Sequence, residues 1–108
     1  MQLRAPGIAI AVFVTSASLT GCLFGPSKAD IAEAKNACVD FFHEERDKYR
    51  SSIVYPVDNW TKNDAIVVEL AQKAKADSTR YTAHICVYDK EKGTIALPGA
   101  FHQSRWLK

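Results

Sequence analysis

Three cysteines, three histidines and a run of carboxylates on one segment carry whatever chemistry this chain can do. His84 and Cys86 lie two positions apart, so on a strand they would project from one face. With Cys38 they would supply three ligands of a zinc-type site, but no fourth ligand stands out. In an exported chain two such thiols would oxidise instead, and no C-x-x-C pair is present to make them redox-active. The expectation is therefore a Cys38–Cys86 disulfide and no metal. Such a bridge closes about 49 residues, for which the chain-entropy model gives roughly 4 kcal/mol of stabilisation.

The carboxylates Asp40, Glu44 and Asp47 share one face of a helical pattern, an arrangement that could trade a proton or hold a cation. Arg46 and Lys48 stand among them, and the plainer expectation is a solvated, charge-mixed helix face. His43 is read as a residue of that same helix surface. Glu45 falls inside the apolar stripe between Phe41 and Tyr49, which places it at the stripe's edge or against an arginine such as Arg80 or Arg105. No G-x-S-x-G, G-x-G-x-x-G or phosphate-binding glycine loop occurs, and neither His43 nor His102 has a sequence neighbour that would complete a nucleophilic set. No catalytic residue, no cofactor and no enzyme activity are expected.

The remaining cysteine has a different setting. Met1 to Arg4 carry one positive side chain, and an uncharged run, GIAIAVFVTSASL, follows. That run is shorter than the roughly 20 apolar residues needed to cross a bilayer and reads as a signal peptide over residues 1–21. It ends in Leu19, Thr20, Gly21 and Cys22, which resembles the lipobox of bacterial lipoproteins. The resemblance implies that signal peptidase II cuts before Cys22, whose thiol carries diacylglycerol and whose amine is acylated. Several acyl chains, at about 0.8 kcal/mol per buried CH2, make such an anchor effectively permanent. Leu23 stands where an aspartate would signal retention at the inner membrane, which favours the periplasmic face of the outer membrane. Residues 22–27 form the lipidated cysteine and a tether of only about 15 Å, so the domain sits close to the bilayer.

These groups need a scaffold, and the sequence outlines one over residues 28–108. Ser27 and Asp30 form an S-x-x-D cap, and Ile31, Ala34, Cys38, Phe41, Phe42 and Tyr49 recur at helical spacing from Lys28 to about Arg50. SIVYPVDNW carries Pro56, which makes it an edge strand or extended loop. DAIVVELAQKAKA reads better as a strand than as a helix, with Ile66, Val68, Leu70 and Ala74 on one face. RYTAHICVYDK alternates Tyr81, Ala83, Ile85 and Val87 against Thr82, His84, Cys86 and Tyr88. DKEKG turns the chain, and TIALP returns as a short strand. The expected fold is α+β: one N-terminal helix on a three- to four-stranded antiparallel meander, pinned by the disulfide.

A formal net charge of +2 and no basic–aromatic run exclude a nucleic-acid partner. Charge is nonetheless uneven: residues 22–72 hold six Lys and Arg against nine Asp and Glu, and residues 73–108 hold seven against three. The ending GAFHQSRWLK offers Phe101, Arg105 and Trp106 as a surface, with its aromatic side expected on the sheet and its basic side on a partner. The class expected from these features is a non-catalytic binding module in the cell envelope, tied to the membrane through its lipid and to an envelope protein. An immunity or exclusion lipoprotein, blocking a toxin, phage or plasmid component, and a small envelope enzyme are the alternatives.

Overall fold

Ser27 starts the helix by accepting the Asp30 N–H at its hydroxyl, while its own N–H donates to the Asp30 carboxylate at 3.2 Å. Two backbone donors that would otherwise lack partners are thereby satisfied. The computed structural model describes residues 25–108 and contains helix α1 (Lys28–Arg46) and strands β1 (Ile53–Lys62), β2 (Ala65–Lys73), β3 (Thr82–Asp89) and β4 (Thr94–Ala96). The expected lipobox, Leu19 to Cys22, lies outside the described residues. Among those described, no helix is long and apolar enough to cross a membrane.

The strands form one antiparallel sheet in the order β1-β2-β3-β4, as the α+β meander reading requires. Asn63 and Asp64 join β1 to β2 with positive φ at both positions, the backbone of a tight two-residue hairpin turn that suits short polar residues. Gly93, at φ 69°, serves the β3–β4 turn. Pro56 sits opposite Leu70 on the edge strand β1, a position that tolerates proline, and the register slips beside it between Pro56 and Asp58.

One face of the sheet packs on α1. Ala34, Cys38 and Phe42 meet Val54, Ile66, Val68, Leu70 and Cys86 there, and burying a side chain such as Phe42 contributes roughly 2–3 kcal/mol. Cys38 and Cys86 are bonded within this layer, with Cα atoms 5.9 Å apart. The other face gathers Ala65, Val67, Ile85 and Val87 beneath Trp60 and Trp106. With both its faces covered, β2 reads as a nearly continuous apolar run, which is why its periodicity was ambiguous between strand and helix. It ends at Lys73, so Ala74 is exposed outside the strand.

Several expectations require correction. Helix α1 stops at Arg46 and not near Arg50, because Asp47 leaves the helical region at φ −146°, ψ 60°. Tyr49 therefore falls off the apolar stripe and is 94% exposed. Glu45, exposed on the last turn, forms no ion pair with Arg80, Arg105 or any other described residue. His43 and Asp47, assigned to a solvated face, are buried, at 6% and 8% exposure.

Candidate functional site

The two ends of the sheet differ in character. At the end where the chain enters, Lys90 bridges to Asp30 at 2.9 Å, and the Tyr88 hydroxyl donates to the Glu33 carboxylate. The hydrogen bond to Glu33 is the main cause that holds the Tyr88 hydroxyl above its usual pKa, and the Lys90 ammonium lowers that of Asp30. A groove of about 920 Å³, lined by Pro26, Ile66, Tyr88 and Lys90 among others, opens here.

The opposite end is organised around Asp47. Its Oδ1 accepts the Ser51 N–H at 3.0 Å and the Ser51 hydroxyl at 2.8 Å. Its Oδ2 accepts the Ser52 N–H at 3.1 Å, the Ser52 hydroxyl at 3.0 Å and the His43 Nδ1–H at 3.0 Å. The network runs on through Ser52 Oγ, which accepts from Gln72 Nε2 at 2.9 Å, to Gln72 Oε1, which accepts from His84 Nε2 at 2.9 Å. Every donor in this relay points toward one carboxylate, so the chain of bonds is polarised in a single sense. The hydroxyl of Ser51, with the further bonds from both serines, holds Asp47 well below the usual carboxylate range.

Histidine, aspartate and serine side chains thus converge, but in the wrong order for nucleophilic catalysis. A serine relay places the imidazole between acid and hydroxyl so that the ring takes the proton. Here the carboxylate stands in the middle, and a carboxylate held so far down is a poor base. What the network does is fix a loop. Residues 47–52 are held from inside, the Arg50 N–H closes on the Asp47 carbonyl at 2.9 Å, and Arg50 takes φ 51°. That left-handed conformation costs a non-glycine residue on the order of 1 kcal/mol. The loop displays Tyr49 to solvent, with Lys48 and Arg50 exposed on either side.

His84 does not ligate metal with the cysteines: Cys38 and Cys86 are bonded to each other, and the ring packs on Phe42 with centroids 4.6 Å apart. Burial, with a lesser contribution from the Arg46 charge, pushes His84 below its ordinary pKa. Among the described residues, no three His, Cys, Asp or Glu side chains gather as a metal site.

The tail expectation divides. Trp106 packs on the second core cluster, and its carbonyl accepts the Trp60 Nε1–H at 2.6 Å. Lys62 reaches the Leu107 carbonyl at 2.9 Å, and Lys108 meets Asp58 at 2.7 Å while lying over the Trp60 ring. The ending is therefore a strap across the sheet face opposite α1. Arg105 is exposed, and so is Phe101, at 96%, which was expected on the sheet with the aromatic side. Compared with known proteins, the chain matches no family model, no curated protein and no solved structure.

Proposed function

We propose that this chain is a lipid-anchored binding protein of the bacterial cell envelope, non-catalytic, held by Cys22 at the periplasmic face of the outer membrane. The observation that carries the binding reading is the loop 47–52, in which a buried carboxylate accepts five hydrogen bonds and so braces the backbone that carries an exposed tyrosine. A surface that is ordered before it meets its partner loses less entropy on binding. The anchoring reading rests on Leu19-Thr20-Gly21-Cys22 behind an uncharged run. The two fit together: residues 25–27 lead into the N-terminus of α1, and the loop lies at the other end of that helix. Wild type and Cys22→Ser, expressed in a bacterium that processes lipoproteins, test the anchor. Wild type should enter the detergent phase on partitioning, and the variant should accumulate as an unprocessed precursor. Equal processing of both proteins to a water-soluble form would overturn it.

A further inference from the structure

We infer that the end of the domain farthest from the tether docks an acidic segment of another protein, with Tyr49 as the anchor; this rests on the binding-module reading above. Strand register places loops 47–52 and 74–81 at the same end, since Ile53 pairs with Lys73 and Gln72 with Thr82. Over residues 46–53 and 73–82 these loops and their flanks carry Arg46, Lys48, Arg50, Lys73, Lys75 and Arg80 against two carboxylates, Asp47 and Asp77. Asp47 is buried and fully engaged, so Asp77 is the exposed carboxylate of these two stretches, with Glu44 and Glu45 beside them on the last turn of α1. Lys48, Lys75 and Arg80 form no ion pair with any described residue, and Arg50 reaches Asp40 only at 3.7 Å. Amid these cations stand Tyr49 at 94% exposure, and Tyr81 and Ile53, each with much of its surface open. An open groove of about 560 Å³ at Tyr81 is lined also by Arg80, Ser78 and Gln72 among others, a setting for an acidic side chain.

Exposed tyrosine and arginine are the residue types that dominate the centres of protein interfaces. The charge pattern points to protein rather than to a uniformly anionic lipid or polysaccharide. Glu44 and Glu45 on the last turn of α1, with Asp77, interrupt the basic field and would repel a continuous polyanion. A protein segment can place its own charges to match both signs.

The test uses the processed full chain, wild type and two variants: Tyr49→Ser, and Phe101→Ser as a control at the equally exposed tail. A random peptide library displayed on phage is the probe, followed by binding of the best-enriched synthetic peptide. Vesicles containing phosphatidylglycerol and the polyanion heparin are parallel arms. The inference expects enriched peptides rich in Asp and Glu, affinity weakened about tenfold or more by Tyr49→Ser, and no change with Phe101→Ser. Unchanged thermal unfolding of both variants keeps the comparison clean. Acidic peptides that Phe101→Ser weakens and Tyr49→Ser does not would overturn this assignment while leaving a binding module in place. So would heparin binding at least as tight as peptide binding, vesicle binding that Tyr49→Ser weakens, since the Cys22 lipid inserts into vesicles whatever the loop does, or head-to-tail self-association that Tyr49→Ser abolishes while no peptide is enriched. No enrichment and no heparin binding, with vesicle binding that Tyr49→Ser leaves unchanged, would overturn the inference together with the reading it rests on.

Discussion

The Asp47 carboxylate accepts the His43 Nδ1–H at 3.0 Å across the last turn of α1, at the residue where the backbone leaves the helix. A helix that continued to Tyr49 would carry Asp47 outward. Instead Asp47 turns under the C-terminus and gathers Ser51 and Ser52, so the carboxylate is a structural hub rather than a solvated charge.

Acid stability follows from that hub. The folded pKa of Asp47 lies below its unfolded value, so the stabilisation is fully present above about pH 4 and is lost as pH falls through the folded pKa. Asp47→Asn should lower the melting temperature by several degrees at pH 7 and flatten its decline on acidification. Thermal unfolding of both proteins from pH 7 to pH 2 checks this, and parallel curves would contradict it.

His84 makes a separate contribution at milder pH. Its folded pKa is also depressed, first by burial and then by Arg46, so folding favours the neutral ring. The sign is that of a group unwilling to charge: full stability above about pH 6.5, lost as pH falls toward the folded pKa. Proton NMR of the His84 ring should give a titration midpoint below 6.5. A midpoint at or above that value would show that burial beside Arg46 does not exclude the proton.

The helix stripe and the disulfide were legible in advance, and the reason is local. Ile31, Ala34, Cys38 and Phe42 repeat at helical spacing, and His84, Cys86 and Tyr88 alternate, so each element declares its inward face without knowledge of the rest. The site was not legible in the same way. His43 and Asp47 are four apart, as any helix-face pair would be, and only the break after Arg46 turns that spacing into a buried contact. The Asn63–Asp64 turn did leave a signal, two polar residues tolerant of positive φ between apolar runs, that a closer reading of turn chemistry would have caught. Trp60 and Trp106 are 46 positions apart and meet only because the tail crosses the sheet, which no local pattern encodes.

The disulfide should account for a large share of stability. Reduction is expected to cost about 4 kcal/mol, read from chemical denaturation with and without reductant. Alkylation of the unfolded, unreduced protein should leave Cys38 and Cys86 unmodified, and recovery of both as alkylated thiols would refute the pairing.

The strap should separate into an inner and an outer residue. Trp106→Ala removes a half-buried ring from Val67, Ile85 and Val87, for an expected loss of about 2 kcal/mol, whereas Phe101→Ser should stay within about 0.5 kcal/mol of wild type. Urea titrations of the two variants decide it. Equal losses would mean that the tail packs through Phe101 as well.

The central claim is that loop 47–52 is rigid while its tyrosine is bare, and backbone 15N relaxation of the free protein measures that directly. Residues 48–52 should show order parameters near those of the sheet, about 0.85, falling toward about 0.6 in Asp47→Ala. Values below about 0.6 for Tyr49 and Arg50 in the wild-type protein would contradict the account, because a loop that moves freely before binding is not the preorganised surface on which it rests.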